Sequence, residues 1–229
     1  MHKILVFILL IQAGVMASAP ADAKDKILLE KIEWSDIWVV DANQDGLPRL
    51  LMVGDSITQG YFRTVDGILT GKADCARYTT SMFMANPDYF AELKIILKRH
   101  QFSVIQVNNG LHGWEYTEQQ YGQSLPKLMD FLKKYGRGAT IVWATTTPRR
   151  SPQNPAQLSV DNDRVKERNR IAVEYMTKHG IAVDDLYSLV ADHPEYYRDD
   201  HTHFNDQGRA VEGKQVSEVI LQALKGGKR

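Results

Sequence analysis

The sequence predicts an α/β domain whose parallel β-sheet is covered by helices on both faces. Short runs of β-branched residues, bounded by Gly, Pro or Asn, alternate along the chain with segments of helical periodicity. Hydrophobic residues make up 43% and charged residues 24% of the 229 residues, which is typical of a globular protein. A chain of this length fits one domain with a large core.

Five segments are predicted to be strands, because each is a short run rich in apolar or β-branched residues. They are residues 49–53, 75–79, 103–107, 140–144 and 181–186. Four further segments repeat apolar residues at helical spacing and are predicted to be helices. They centre on residues 90–97, 125–132, 165–176 and 216–224. Ligands in such folds bind at the carboxyl ends of the strands.

The first 23 residues have the pattern of a signal peptide. Lys3 precedes an unbroken apolar run at residues 4–11, and Ala21-Asp22-Ala23 offers the small residues of a cleavage site. The run is short for a membrane span, although an uncleaved membrane anchor is the alternative. We therefore expect an exported protein, periplasmic or secreted, with one domain at residues 24–229 and no stable membrane insertion after cleavage.

Charge and cysteine content exclude several classes of protein. The 28 Lys and Arg residues balance 28 Asp and Glu residues, whereas nucleic-acid-binding proteins usually carry a basic excess. We expect no nucleic-acid partner. The charge balance excludes neither a neutral substrate nor a small anionic one. The single cysteine, Cys75, cannot form an intramolecular disulfide or a Cys-based zinc site, and it is expected to be a small buried residue. The oligomeric state is not predicted.

A serine follows the first predicted strand. Gly54-Asp55-Ser56 comes directly after residues 49–53, so Ser56 is expected at the carboxyl end of a strand, where a helix begins. The amino terminus of that helix would stabilise negative charge near the serine. A helix cap formed by Asp or Ser after a glycine turn is the alternative interpretation.

The segment Asp200-His201-Thr202-His203 precedes the last predicted helix. Asp200 and His203 stand three residues apart, so one turn can bring their side chains together. A serine hydroxyl is a weak nucleophile that needs a base, and His203 can serve if Asp200 fixes its tautomer. A surface loop and a His201-x-His203 metal pair are the alternatives; no cysteine or further histidine nearby completes a metal site, but Asp199 could add a ligand.

A third polar segment, residues 108–113 with the sequence NNGLHG, follows the predicted strand at 103–107. Amide or imidazole N–H groups at a strand end can point at a developing oxyanion, which is worth roughly 3–4 kcal/mol of transition-state stabilisation. An Asn-Gly turn with a structural histidine is equally compatible with the pattern.

Together the three segments resemble the sequence blocks of the SGNH/GDSL hydrolase family of serine esterases. Gly54-Asp55-Ser56 matches the first block and Asp200-x-x-His203 matches the last, and the resemblance spans nearly all of the chain after the leader. It implies a flavodoxin-like three-layer αβα fold, with Ser56 as nucleophile, His203 as base and Asp200 as the residue that orients the base. No metal and no organic cofactor is implied.

Two blocks depart from the family pattern. The third block is normally Gly-x-Asn-Asp, and here Gly110 and His112 fall on the Gly and the Asn. Histidine can also donate an N–H, so Gly110 and His112 are expected in oxyanion or substrate binding. The second block normally supplies a glycine N–H, but residues 78–82 contain no glycine. A backbone N–H of Thr80, Ser81 or Met82 could substitute, and the choice among them stays open.

Several other residues have two interpretations each. Four aromatic residues near the motifs either line a substrate pocket or pack in the core; they are Tyr61, Phe62, Trp114 and Tyr116. Arg149 and Arg150 either meet an anionic substrate or lie solvated in the long loop 147–162.

The expected activity is hydrolysis of short acyl esters, acetyl esters above all, on a carbohydrate, through an acyl-enzyme. Within the same chemistry, a lysophospholipase or thioesterase is the alternative and would need a longer apolar trough. From a different class, a non-catalytic carbohydrate-binding relative is the alternative, and acyl transfer to a second sugar is a further one.

Overall fold

The computed structural model describes residues 27–226. The predicted signal peptide at residues 1–23 lies outside the described residues, and it stays a prediction. Among the helices of the described chain, none combines the length and the apolar character needed to cross a membrane.

Six strands and six helices make up the described part of the chain. The strands are β1 Ser35–Val39, β2 Arg49–Gly54, β3 Asp74–Thr80, β4 Val104–Val107, β5 Thr140–Ala144 and β6 Ala182–Asp184. The helices are α1 Ser56–Leu69, α2 Pro87–Arg99, α3 Glu118–Tyr135, α4 Asn162–Lys178, α5 Leu186–Val190 and α6 Asp206–Gly226, with a short 3₁₀ turn at Pro194–Tyr196.

The strands form one sheet in the order β1-β3-β2-β4-β5-β6. Every pair is parallel except β1 with β3, so five strands form a parallel sheet with an antiparallel edge strand. Without β1, the order is that of flavodoxin, in which the chain turns to the other side of the sheet between its first and third strands. Here that point lies between β2 and β4, and ligands bind in the crevice above it.

Helices cover both faces of the sheet, as predicted. Alternate residues of a strand point to opposite faces, so Leu51 and Val53 of β2 pack against α2, α3 and α4, while Leu50 and Met52 pack against α1, α5 and α6. All four of these side chains are fully buried or nearly so. The predicted fold class, a three-layer αβα sandwich with a flavodoxin-like sheet, is confirmed.

Two parts of the sheet differ from the prediction. The strand predicted at 181–186 is only Ala182–Asp184, because Asp185 caps a new helix by accepting the backbone N–H of Ser188. The edge strand β1 was not predicted at all. It exposes about half of Ile37 and Trp38, so it lacks the buried pattern that marks the other strands.

Candidate active site

The turn between β2 and α1 places Ser56 at the crevice. Gly54 ends the strand, and a Cβ at this position would lie only 2.1 Å from Oγ1 of Thr58, so no larger residue fits without a shift. Asp55 caps the helix, since its Oδ1 accepts the backbone N–H of Ile57 at 2.9 Å. Ser56 is therefore the first residue of α1, with its own N–H free of any intrahelical acceptor.

Ser56, His203 and Asp200 are linked by hydrogen bonds in series. Oγ of Ser56 lies 2.7 Å from Nε2 of His203, and Nδ1 of His203 lies 3.0 Å from Oδ2 of Asp200. Two segments that are 147 residues apart thus meet at the carboxyl end of the sheet. A hydroxyl paired with an imidazole, which is itself paired with a carboxylate, is the geometry of an activated nucleophile.

The loop that carries Asp200 and His203 closes on itself. The other carboxylate oxygen of Asp200, Oδ1, accepts the backbone N–H groups of Thr202 and His203 at 3.0 and 2.8 Å. Partial burial opposes ionisation of Asp200, but these hydrogen bonds and the bond to His203 outweigh it and hold the pKa of Asp200 below its ordinary value. Asp200 is therefore a carboxylate at neutral pH, as an orienting residue requires.

Residues 108–113, which we call the oxyanion loop after the role predicted for them, follow β4, the neighbour of β2 in the sheet. Asn108 joins three strands, because its N–H donates to the carbonyl of Val53 and its side-chain amide donates to the carbonyl of Ala144. A Cβ at Gly110 would lie 2.0 Å from Oγ1 of Thr146, so the loop packs too closely there for any side chain. The predicted site residues Gly110 and His112 thus lie in a tightly packed loop at the expected edge of the sheet.

The fully buried guanidinium of Arg168 fixes the oxyanion loop. Nη1 of Arg168, on α4, donates to the carbonyls of Gly110 and His112 at 2.9 and 2.8 Å. Nη2 donates to the carbonyls of Gly113 and Tyr116 at 2.9 and 3.2 Å. Four carbonyls of one irregular segment are therefore satisfied by one side chain, which fixes the course of the backbone.

His112 is held by a carboxylate of its own. Its Nδ1 lies 2.9 and 3.0 Å from the two carboxylate oxygens of Glu30, one of which also accepts the N–H of Gly113. Burial opposes the charged imidazolium, but the bond to Glu30 and the charges of Asp55, Glu30 and Glu33 outweigh it, so the pKa of His112 is raised. Among the described residues, Nε2 of His112 has no hydrogen-bond partner, whereas Nδ1 is bound to Glu30.

Known proteins match this chain in structure and not in sequence. No protein-family model and no curated protein matches the sequence. Solved structures do match: a carbohydrate acetylesterase family member from Sinorhizobium meliloti superposes with a TM-score of 0.63 at 15% identity, covering 78% of this chain and 99% of that chain. A protein from Slackia heliotrinireducens assigned to the SGNH hydrolases gives 0.61 at 18% identity, with 76% and 100% covered.

A GDSL-like lipase from Bacteroides thetaiotaomicron gives a TM-score of 0.60 at 14% identity, with 76% of this chain and 88% of that chain covered. This chain has the fold of the SGNH hydrolases. In this chain the segments that resemble the first and third SGNH blocks follow β2 and β4, which are parallel neighbours in the sheet.

The second SGNH block does not present the donors that we expected. The N–H of Ser81 donates to the carbonyl of Trp34, and its hydroxyl donates to Glu33. The hydroxyl of Thr80 donates to the carbonyl of Trp34 and accepts the N–H of Met82. Thr80 and Ser81 are both about 1% exposed. The N–H of Ser81 is thus already bound within the fold, which corrects the expectation that it donates to a ligand. For Thr80 these contacts concern only the hydroxyl, so a role of its backbone N–H stays a prediction.

Residues before β1 were missed as part of the site. Glu30 contacts His112, and Glu33 accepts the backbone N–H of Glu30 as well as the hydroxyl of Ser81. The hydroxyl of Tyr116 accepts the N–H of Leu28. Residues 27–34, which we call the N-terminal arm, therefore join the second and third SGNH blocks. No local sequence motif marks this arm, because each of its partners is distant in sequence.

A buried acid behind the nucleophile was also missed. Glu212 on α6 is fully buried, and within residues 27–226 neither of its carboxyl oxygens has a hydrogen-bond partner. Burial, and then the charge of Asp55, raise the pKa of Glu212 well above its ordinary value. Burial therefore favours the uncharged form of the Glu212 carboxyl.

The remaining residues with two interpretations can now be placed. Tyr61 and Phe62 are almost fully buried in the core, while Trp114 is only partly buried and lies 5.0 Å from the guanidinium of Arg168. Arg149 pairs with Asp161 and contacts Thr202, whereas Arg150 is buried and donates to backbone carbonyls.

The lone cysteine lies buried in the sheet. Burial, followed by the charge of Asp66, raises the pKa of Cys75 to about 12. Its thiol therefore stays protonated and is not a competing nucleophile.

A cavity of about 360 Å³ opens beside Ser56 and His203, and we call it the arginine cavity. Its lining is polar and carries three guanidinium groups. The lining residues are Ser56, Gln59, Gly60, Arg63, Arg198, His203 and Arg209.

Proposed function

We propose that this protein is a serine esterase that hydrolyses short acyl esters, acetyl esters above all, on carbohydrate. The observation that carries the proposal is the series of hydrogen bonds from Ser56 through His203 to Asp200. An SGNH fold alone would not support an activity, since one fold hosts many functions. A nucleophile, a base and an orienting carboxylate within hydrogen-bond distance of one another do support it.

Acylation begins when Oγ of Ser56 attacks the ester carbonyl. His203, with Nδ1–H donated to Asp200, accepts the serine proton at Nε2. The C–O bond to the alcohol then breaks, and His203 returns the proton to the leaving alcohol. Water attacks the acyl-enzyme in the second half, again giving its proton to His203, and the carboxylic acid leaves with Ser56 restored.

The tetrahedral oxyanion needs donors in both halves of the reaction. The backbone N–H of Ser56 lies in the first turn of α1 and has no intrahelical acceptor. His112 supplies the second donor from Nε2, provided that the ring is protonated, because Nδ1 is already bound to Glu30. Glu30 is therefore proposed as the positioning residue that makes His112 a donor at Nε2.

The substrate part of the proposal depends on the surroundings of the nucleophile. One structural relative is named a carbohydrate acetylesterase family member, and the arginine cavity has a polar lining suited to a hydroxylated alcohol. A lysophospholipase or thioesterase would need an apolar trough at this place. Export by the leader at residues 1–23 belongs to the same proposal and would bring the site to extracellular polymers.

Replacement of the nucleophile tests the proposal. Ser56→Ala should lower kcat for p-nitrophenyl acetate by about 10⁴-fold or more, since a hydroxyl that acts with a base cannot be replaced by water alone. A fluorophosphonate probe should label the native chain at Ser56. Ser188→Ala, an exposed serine on α5, is the matched control and should keep full activity and labelling.

Full activity in Ser56→Ala would show that another group performs the chemistry. A native chain that neither turns over esters nor reacts with the probe would support the non-catalytic alternative. Incubation of the protein with acetylated xylan, with and without a sugar acceptor, separates hydrolysis from acyl transfer. Hydrolysis releases free acetate, whereas transfer gives an acetylated acceptor.

A further inference from the structure

The arginine cavity concentrates positive charge next to the nucleophile. Its lining residues include Arg63 on α1, Arg198 in the loop before His203, and Arg209 on α6, and they include no carboxylate. The chain as a whole has zero net charge, so this concentration is local. The amino terminus of α1 at Ser56 adds its own positive partial charge to the same place.

The three guanidinium groups differ from the other arginines around the site. Arg164 and Arg168 donate to backbone carbonyls of the segment that includes the oxyanion loop, and Arg150 donates to carbonyls elsewhere. By contrast, within residues 27–226 the guanidinium groups of Arg63 and Arg198 have neither a hydrogen-bond acceptor nor a carboxylate within 4 Å. A guanidinium group that lines a site and has no partner within the protein is free to bind a ligand.

Arg209 is directed into the cavity by its neighbour on α1. A Cβ at Gly60 would lie 3.5 Å from Nε of Arg209, so the guanidinium lies over the helix one turn after Ser56. Among the described residues, the only carboxylate within 4 Å of its guanidinium is that of the fully exposed Asp206, with 3.6 Å between Nη1 and Oδ1. The buried Glu212 lines a small neighbouring pocket together with Arg209. An exposed pair at this distance is weak and leaves most of the charge available.

Two further carboxylates lie close to the cavity, on the loop that carries Arg198. Both oxygens of Asp200 are bound to His203 and its backbone, and Asp199 lines the neighbouring depression. Three guanidinium groups line the cavity and no carboxylate does, so the positive charge belongs to the cavity lining. The carboxylates around it are those of Asp199, Asp200, Asp206 and Glu212.

The chemistry of the proposed reaction determines which part of the substrate meets these cations. His203 returns a proton to the leaving alcohol, so the alcohol part must lie on the side of His203, and His203 lines the arginine cavity. Guanidinium groups match the planar shape of carboxylates and bind them through paired hydrogen bonds. We propose that the arginine cavity binds a carboxylate carried by the alcohol part of the ester, so that the preferred substrate is an acyl ester of an acidic sugar. The inference rests on the proposed esterase function and adds its substrate class.

A matched pair of small esters tests this inference. 4-Acetoxybenzoate and 4-acetoxybenzamide have the same scissile bond and nearly the same shape, but only the first carries a charge on the leaving group. The measured quantity is the ratio of kcat/KM for the charged ester to that for the neutral ester. The ratio should exceed one in the native chain and should fall as ionic strength rises, because salt screens exposed charges.

Charge removal then assigns the preference to named residues. Arg63→Gln and Arg198→Gln should each lower the ratio by about two- to five-fold, as expected for one exposed ion pair. Arg170→Gln, which removes an exposed arginine of α4 remote from the cavity, should leave the ratio unchanged. On polymers, the native chain should deacetylate acetylated polygalacturonate faster than acetylated xylan.

Each remaining outcome decides between the two proposals. A ratio near one, or a ratio that is the same in the double variant Arg63→Gln/Arg198→Gln, overturns the anion-binding inference and leaves the esterase proposal in place. If the native chain hydrolyses neither ester, the esterase proposal fails. In that case, calorimetric titration with trigalacturonate measures anion binding to the cavity directly. The inference is overturned if the native chain does not bind trigalacturonate, or if the double variant binds it equally well.

Discussion

The two halves of the candidate site are built in opposite ways. The half with Asp200 and His203 is local, since both residues lie in one short loop in which Asp200 accepts backbone N–H groups two and three residues ahead. The oxyanion loop is held from far away. His112 is fixed by Glu30, 82 residues earlier, and its carbonyl is bound by Arg168, 56 residues later.

This difference has a physical consequence for how each half can fail. A loop that satisfies its own polar groups keeps its shape after most changes elsewhere in the molecule. A loop whose carbonyls depend on one buried guanidinium loses several hydrogen bonds at once when that residue is replaced. Replacements of remote residues should therefore disturb the oxyanion loop and leave the pairing of Asp200 with His203 intact.

Removal of the buried guanidinium has the largest expected effect. Arg168→Met leaves up to four buried carbonyls of residues 110–116 without their donor, and it should lower the free energy of unfolding by about 3–5 kcal/mol. Urea denaturation at neutral pH measures this loss. Arg170→Met is the matched control on the same helix, where the exposed side chain only pairs with Glu167 and Glu174, and it should change stability little. Equal midpoints for the two variants would contradict the role given to Arg168.

The same contrast explains what sequence reasoning could predict. Ser56, Asp200 and His203 were predicted because each lies in a short motif next to a strand or helix end, and the structure brings the three side chains together. The parallel strands were predicted to within one residue at most ends, since buried β-branched runs carry their own signal.

The remote contributions had no comparable signal. Arg168 lies on a helix predicted from periodicity, but nothing in the sequence shows that its buried side chain binds carbonyls of another segment. Strand β1 pairs with β3 on the far side of α1, and the carboxylate of Glu30 contacts residues more than 80 positions later in the chain, and pairing over such distances leaves no pattern within a local window. For the same reason Thr80 and Ser81 were predicted as ligand donors, although β1 and the N-terminal arm engage them.

Truncation of His112 should have the next largest effect. His112→Ala removes one oxyanion donor and should lower kcat for p-nitrophenyl acetate by about 10²-fold, with the pairing of Ser56 and His203 kept. His112→Asn restores an N–H donor and should retain much of the activity. Labelling of both variants by the fluorophosphonate probe serves as the control that the nucleophile is intact. A harmless alanine would show that the third SGNH block is misaligned and that the oxyanion is bound elsewhere.

Neutralisation of Glu30 should have a smaller effect that depends on pH. Nε2 of His112 donates only while the ring is protonated, and the raised pKa of His112 extends that protonated range towards alkaline pH. Glu30→Gln removes the largest of the interactions that favour the imidazolium, while Glu33 and Asp55 stay in place. The pKa of His112 should therefore fall, and the alkaline side of the kcat profile should move to lower pH.

The profile also separates this role from a merely structural one. A variant that was only less stable would lose activity at every pH, whereas Glu30→Gln should approach the native rate where His112 is protonated in both. Glu30→Asp keeps the negative charge, so the alkaline side of its kcat profile should lie closer to that of the native chain than the profile of Glu30→Gln does. If the profiles of all three proteins coincide, His112 does not act as an imidazolium, and the oxyanion loop would depend on its remote partners for shape alone.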